Sequence, residues 1–185
     1  MTGWIILVVV VLVVVYAIYL YNSLVRYRQM AQEGWSGIDV QLKRRADLIP
    51  NLLETVKGYM AHERETLEAV TNARAAAQAG ANASPEERAK LEGALTGALG
   101  RLLAVAESYP DLKANTTFLE FQEALQKVED EIQLARRYYN GAVRNLNVAV
   151  ESFPSSIAAG MFHFEKMQYF ELENEADRAV PNVKF

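Results

Sequence analysis

The chain has 185 residues, no cysteine and a hydrophobic share of 51%. The absence of cysteine excludes a disulfide framework and a thiolate-bound zinc or iron–sulfur centre. The net charge of −4 and the isoelectric point near 5.3 do not supply the concentrated basic face that nucleic acid requires, so we expect no nucleic-acid partner.

The first predicted element is a membrane-spanning helix. From Trp4 to Tyr21 the chain carries no charge and almost no polar atom, and the run is close to the length that crosses a hydrocarbon core. A cleaved signal peptide is the alternative, but no Lys or Arg precedes the run and bulky residues stand where a cleavage site needs small ones. We therefore expect a retained anchor over residues 1–25, with aromatic side chains at the two membrane interfaces. These are Trp4, Tyr16, Tyr19 and Tyr21.

Positive charges predict the orientation of this anchor. Arg26 and Arg28 follow the span, whereas no basic side chain precedes it. The positive-inside bias therefore places the N-terminus outside and the rest of the chain in the cytoplasm. A further basic run, residues 43–45, lies roughly 33 Å beyond Tyr21 along a straight helix, too far for binding to lipid headgroups to be expected.

Apolar residues continue at helical spacing from Leu24 to Leu42, so we expect one helix to run from the span into the following domain without a break. On this helix Asp39, Lys43 and Asp47 are spaced four apart and share one face. Together with Arg44 they form a candidate partner surface. The alternative, which is the more common use of such a pattern, is a solvated face tied by ion pairs.

Pro50 predicts a kink or a new helix start, because it lacks a backbone donor and clashes with the preceding turn. The next helix should end at Gly80 and Asn82, and Ser84–Glu87 has the Ser, Pro and Glu of a helix N-terminus. On the helix that follows, we expect an apolar face and three glycines that contact another helix. The apolar positions are Leu91, Leu95, Ala98, Leu102 and Val105, and the glycines are Gly93, Gly97 and Gly100.

The longest regular pattern runs from Phe118 to Phe153. Asn115, Thr116 and Thr117 offer caps, and Thr117 and Glu120 are spaced as a capping box. Apolar residues recur at alternating steps of three and four, which predicts one apolar seam along a helix roughly 54 Å long. They are Phe118, Phe121, Leu125, Val128, Ile132, Ala135, Tyr139, Ala142, Leu146, Ala149 and Phe153. Such a helix is not stable alone, so other helices must cover the seam and the fold class is an all-α bundle.

Beyond the break at Phe153–Pro154 we expect a short helix that folds back on the bundle, followed by irregular chain. The domain prediction is therefore an anchor over 1–25, a helical bundle over 26–170 and an acidic tail over 171–185, for which Phe185 is a candidate point of attachment.

The sequence gives no support to a catalytic or metal site. A di-iron bundle needs Glu-x-x-His pairs, but Tyr59 and Gly160 stand three residues before the two histidines, His62 and His163. His62-Glu63 resembles the start of a zinc-protease helix, yet position 66 is Thr rather than a second His. We therefore predict no catalytic residue, no cofactor and no metal, and expect His62 to be a surface or interface residue.

Several blocks together closely resemble the LemA family. They include the Trp35–Arg45 segment, Asp47-Leu48-Ile49-Pro50-Asn51-Leu52, and Tyr109-Pro110-Asp111-Leu112-Lys113-Ala114-Asn115. Ala135-Arg136-Arg137-Tyr138-Tyr139-Asn140 and the C-terminal Tyr169-Phe170-Glu171 match as well. The resemblance covers nearly the whole chain and implies a bacterial protein with one N-terminal membrane helix and an antiparallel, up-and-down bundle of about four helices on the cytoplasmic side of the inner membrane.

The resemblance does not imply a reaction. A magnetosome-membrane member suggests a part in membrane organisation, and other members occur beside membrane protease genes. Our first hypothesis is a non-enzymatic, self-associating scaffold that organises the inner membrane or partner proteins there. The second is a membrane-tethered sensor or adaptor that binds a partner such as a membrane protease. An enzyme with carboxylates distributed inside the bundle ranks third.

Overall fold

A computed structural model describes residues 2–171 of the chain. Over this range the protein is an all-α helical bundle, as predicted, with no strand. A 3-10 turn, Gly80–Asn82, connects the second helix to the third. In chain order the helices are α1 (Thr2–Lys57), α2 (Arg64–Ala79), α3 (Pro85–Ala106), α4 (Pro110–Lys113), α5 (Thr116–Glu151) and α6 (Ser155–Met161).

Helix α1 begins in the predicted span and continues to Lys57, which confirms that the apolar segment runs into the following domain without interruption. Its N-terminal part has a mean hydropathy of 2.9 over eighteen residues, and none of that window is buried against the rest of the protein. Within residues 2–171 this is the one helix long and apolar enough to cross a membrane.

The prediction of a new helix start at Pro50 is wrong, because α1 passes through it. Pro50 has no N–H to donate to the carbonyl of Ala46, four residues earlier. Arg74 of α2 supplies the missing donor, since its Nε lies 2.8 Å from that carbonyl oxygen. A side chain from another helix therefore satisfies the group that the proline leaves open.

Polar side chains cap the helices near the predicted boundaries. Ser84 Oγ accepts a hydrogen bond from the N–H of Glu87 at 3.3 Å, which confirms the predicted cap of α3. At the start of α5 the cap is Asn115, whose Oδ1 accepts from the N–H of Phe118 at 3.0 Å. The helix begins at Thr116, so Thr117 lies inside it and is not the capping residue.

Helix α5 has 36 residues, and most of the predicted seam is buried or partly buried. Phe153 is the exception, because the helix ends at Glu151 and leaves this ring beyond the last turn with 81% of its surface exposed. Val143 and Asn147 are buried beside the seam, so the covered face is wider than a strict heptad line.

The described chain divides into two compact units, each containing part of α1 and part of α5. One unit contains residues 39–133 together with Phe170 and Glu171. Its apolar core is contributed by four long helices, α1, α2, α3 and α5, together with the short α4. On α3, Leu95 and Leu102 are buried, and Ala98 and Val105 pack half-buried against the same core, as predicted. The helix also buries Arg88, Ala89, Glu92, Leu99 and Ala106, which the sequence did not predict.

The other unit contains residues 2–38 and 134–169. Here α1 and α5 are antiparallel, since Leu24 shares an apolar cluster with Leu146 whereas Gly34 lies against Tyr139. A Cβ added to Gly34 would lie 2.9 Å from the Tyr139 Cα, so glycine permits the close approach of the two helices.

The short helix α6 folds back onto α1 and α5, as the sequence predicted, and the irregular chain that follows it also contacts α5. The hydroxyl of Tyr139 donates to the carbonyl of Gln168 at 2.7 Å. Asn147 forms a pair of 2.9 Å hydrogen bonds with the backbone N–H and carbonyl of Met167. Apart from Glu171, the predicted tail over 171–185 lies outside the described residues.

Candidate functional site

The candidate partner surface lies on α1, where Asp39, Lys43, Arg44 and Asp47 are all exposed. Asp39 is not free, however. Its Oδ1 lies 2.5 Å from Nη2 of Arg88 on α3, and the Arg88 side chain is only 5% exposed. One member of the surface therefore neutralises a buried cation, which is a structural task that the sequence did not indicate.

A groove of about 300 Å³ opens at this surface, between α1 and the α2–α3 connection. Asp39 and Lys43 line it, whereas Arg44 and Asp47 are not among its lining residues. The remaining wall is formed by Leu42, Ala46, Ala77, Gln78, Ala81, Arg88 and Glu92. The groove thus combines apolar residues with charges of both signs.

Beside the groove a buried ionic network connects three helices. Arg45 of α1 is 1% exposed, and its Nη2 lies 2.5 Å from Oε2 of Glu92 on α3. Its Nη1 contacts Oε1 of Glu129 on α5 at 2.7 Å and Thr96 Oγ1 at 2.7 Å. Thr96 in turn donates to Glu129 at 3.1 Å. Glu92 and Glu129 therefore both contact the Arg45 guanidinium, and the network connects α1, α3 and α5.

Sequence reasoning missed this network because it grouped Arg45 with the exposed Lys43 and Arg44. A signal was nevertheless present. Ile38, Leu42, Arg45 and Ile49 follow one another at steps of four, three and four, which places Arg45 on the apolar face of α1. A charged residue in an apolar register indicates a buried charge, and a buried charge requires partners.

Three tyrosine hydroxyls are held in their protonated form. The pKa of Tyr109 is raised because its hydroxyl donates to the Glu63 carboxylate at 2.9 Å. Burial and the nearby Glu33 carboxylate raise the pKa of Tyr138, and burial raises that of Tyr139 to about 12. Groups with pKa values shifted in this direction act as hydrogen-bond donors at neutral pH and are poorly suited to serve as catalytic bases.

Over the part of the chain that it describes, the structure gives no site at the two histidines, and it tests two of the three predicted contact glycines. His62 and His163 are exposed, and residues 2–171 contain no group of three or more His, Asp or Glu side chains arranged to hold a metal. A Cβ at Gly97 or Gly100 would meet nothing within 4 Å, so the expectation that they pack against another helix is wrong within this chain.

The predicted anchor residues fall into two groups. Trp4, Tyr16 and Tyr19 project from α1 with 75%, 50% and 63% of their surfaces exposed. Tyr21 instead contacts the ring of Phe162, with centroids 4.7 Å apart in an edge-to-face arrangement.

The two predicted arginines at this end of the span contact aromatic rings. Arg28 lies 4.8 Å above the ring of Phe164, and Arg26 lies 5.5 Å above that of Tyr27. The sequence did not predict that α6 and the chain after it reach the end of the span.

Comparison with known proteins gives one family over most of the chain. A sequence profile described as the LemA family matches residues 34–185. The magnetosome protein MamQ 2 of Paramagnetospirillum magneticum is 26% identical over 184 residues, covering 86% of this chain and 68% of its own length. MamQ of Magnetospirillum gryphiswaldense has the same identity and coverage. The protein LemA of Metamycoplasma hominis is 27% identical over 150 residues, which cover 81% of this chain and 68% of its own.

Proposed function

Since this chain belongs to the LemA family and is a membrane-associated helical protein, we propose that it is a non-enzymatic scaffold that self-associates and organises the bacterial inner membrane or proteins within it. The observation that carries this proposal is the continuity of α1, which runs from Thr2 to Lys57 without a break. The apolar segment is therefore joined to the following domain by helix and not by a flexible linker. The magnetosome relatives support a role at a membrane.

The first element of the proposal is a retained anchor with the N-terminus outside the cytoplasm. Arg26 and Arg28 after the span support this orientation, because positive residues are enriched on the cytoplasmic side. The chain has no cysteine, so a single introduced cysteine is labelled uniquely. In intact spheroplasts a membrane-impermeant maleimide should label Thr2→Cys and leave Ser36→Cys unlabelled until the membrane is opened. The reverse pattern contradicts the orientation, and an intact mass that lacks the span contradicts the retained anchor.

The second element is self-association. The outer face of α5 exposes Leu134 and Val148, at 52% and 55%, with Gly141 midway between them at heptad spacing. A Cβ at Gly141 would meet nothing within 4 Å, so another helix can approach closely there. Exposed apolar residues at a seven-residue repeat are the pattern through which helices pair.

Charge substitutions test this face. Leu134→Glu combined with Val148→Glu should convert the detergent-extracted oligomer into a smaller species. Gln133→Glu is the matched control, since it adds a charge to an exposed position of the same helix away from the repeat. Circular dichroism establishes that each variant remains helical. An oligomer that is unchanged in the double variant excludes this face as the contact.

The alternative function is a membrane-tethered adaptor whose groove binds a partner such as a membrane protease. The groove favours it, because apolar residues and charges of both signs line it together. Lys43→Glu reverses a charge that lines the groove and should abolish saturable binding of such a partner. Asp47→Lys tests whether the contact extends to the surface outside the groove, whereas Asp39→Asn is a poor test because it removes the carboxylate that pairs with the buried Arg88. A photo-crosslinking side chain at position 43 should give a product that differs in mass from a dimer of this chain. If the only product is that dimer, the scaffold is favoured over the adaptor.

A further inference from the structure

The turn before α6 and the helix itself expose an unusual concentration of large apolar side chains. Phe153 is 81% exposed, Ile157 57%, Met161 70% and Phe162 52%. Four such residues within ten positions form a patch that is costly to leave in water and that marks a contact with another apolar phase. We refer to these four residues as the α6 patch.

The opposite side of α6 packs against α1 at the end of the apolar span. Ala158 and Ala159 are buried in a cluster with Leu24, and Leu20 of the span packs against the same cluster. Phe162 is in edge-to-face contact with Tyr21 at 4.7 Å. The position of the α6 patch relative to the span is therefore fixed by packing within one compact unit.

The length of the span indicates the depth in the bilayer at which α6 contacts α1. From Trp4 to Tyr21 the helix rises roughly 26 Å at 1.5 Å per residue, which is close to the thickness of about 30 Å of a hydrocarbon core. When Trp4 lies at one interface, Tyr21 lies at the other, and Phe162 lies at the level of Tyr21. Arg26 and Arg28 follow within two turns of α1, where their guanidinium groups can meet lipid phosphates.

We propose that the α6 patch is a second membrane contact, which inserts Phe153, Ile157, Met161 and Phe162 into the interfacial layer of the bilayer beside the anchor. The inference rests on the membrane anchoring in the proposed function and adds a lipid-binding element to it. Two attachments fix the tilt and rotation of α1 relative to the bilayer. With a single span, only the residues that flank it set these two angles. Insertion of the patch also adds area to a single leaflet beside the span.

Spin labels on single cysteines measure the depth of this element directly. The full chain is reconstituted into vesicles of phosphatidylethanolamine and phosphatidylglycerol, with a nitroxide at Met161→Cys or Ile157→Cys. Collisions with oxygen, which partitions into lipid, are compared with collisions with a water-soluble nickel chelate. Ser36→Cys is the aqueous control, exposed on α1 about 22 Å beyond Tyr21, and Val11→Cys is the control within the span.

We expect the labels at positions 157 and 161 to collide more with oxygen than with nickel, at a depth roughly 5–10 Å below the phosphates, as for other interfacial elements. If the labels at positions 157 and 161 are as accessible to nickel as the label at Ser36→Cys, while Val11→Cys remains in lipid, the membrane contact of the α6 patch is refuted and the anchor is not. An aqueous label at Val11→Cys overturns the anchor itself. Protection from both reagents, or spin–spin broadening that disappears when labelled chains are diluted with unlabelled ones, overturns the lipid contact in favour of a second copy of the chain.

Discussion

Arg45 and Glu92 form an ion pair in which both side chains are almost completely buried, with 1% and 5% of their surfaces exposed. The pair joins α1 to α3, and Nη1 of the guanidinium donates to Glu129 of α5 and to Thr96 of α3. Because both charges have left water, neither can lose its partner without a large cost.

Removal of the cation should therefore be strongly destabilising. Arg45→Met leaves Glu92 buried without its counter-charge, and we expect the free energy of unfolding to fall by about 3–5 kcal/mol. Arg45→Met combined with Glu92→Leu should recover much of this loss, because no buried charge then remains at that position. Equilibrium urea unfolding in a mild detergent measures both changes. The matched control is Arg44→Met, whose exposed side chain should change stability by no more than about 0.5 kcal/mol; an equal loss in the two single variants contradicts the network.

Two glycines of α1 should respond oppositely to alanine. Gly34→Ala places a methyl group 2.9 Å from the Tyr139 Cα, and we expect a loss of about 1–3 kcal/mol from overpacking. Gly37→Ala meets nothing within 4 Å and should stabilise the helix by up to about 1 kcal/mol. Thermal unfolding of the two variants, followed by circular dichroism, gives the sign directly. A stabilised Gly34→Ala variant is incompatible with the close approach of α1 and α5.

The donor from Arg74 should be needed only because position 50 is proline. In the native chain Arg74→Met leaves the carbonyl of Ala46 without its hydrogen bond, which should cost about 1–3 kcal/mol. In a Pro50→Ala background the new N–H can donate to that carbonyl, so the same substitution should cost clearly less. A double-mutant cycle on urea unfolding measures the difference. Equal costs in the two backgrounds contradict the compensation.

Tyr139 should make the free energy of unfolding decrease at alkaline pH. Its pKa is about 12 in the folded protein, because of burial, against 10.0 for an unburied tyrosine, so the folded state holds the proton more tightly than the unfolded state. The stabilisation that comes from the protonated Tyr139 hydroxyl is fully present below pH 10 and is lost as the pH rises towards 12. We expect a decrease in unfolding free energy of about 2 kcal/mol across that window relative to Tyr139→Phe. Lysines titrate equally in both proteins, so their effect cancels in the comparison. If the unfolding free energies of the two proteins fall in parallel between pH 10 and pH 12, the hydroxyl of Tyr139 is not buried and protonated.

The long elements could be predicted because they depend on periodicity. The span, the seam of α5 and the cap at Ser84 could each be predicted from a pattern within a single helix, without knowledge of its neighbours. Two of the failures at helix boundaries have specific causes. Pro50 is tolerated through Arg74, which is 24 positions away in the sequence, and Phe153 falls outside the seam because α5 ends two residues before it.

The polar interior was harder to predict because apolar periodicity treats every charged residue as exposed. Arg45, Arg88 and Glu92 all lie in apolar registers, and the partners that make their burial possible come from different helices. The apolar register alone could have identified Arg45 as inward-facing, but no local pattern names Glu129 as its partner. The contact of Phe162 with Tyr21 was beyond prediction for the same reason, since 141 positions separate the two residues in the sequence.

The molecular mass of the full-length protein extracted from membranes tests the central claim most directly. Light scattering during size-exclusion chromatography, corrected for bound detergent, gives the number of chains of 20.7 kDa in each particle. A self-associating scaffold predicts a particle of two or more chains that retains the N-terminal span in its intact mass. A strict monomer from which no partner is recovered contradicts it.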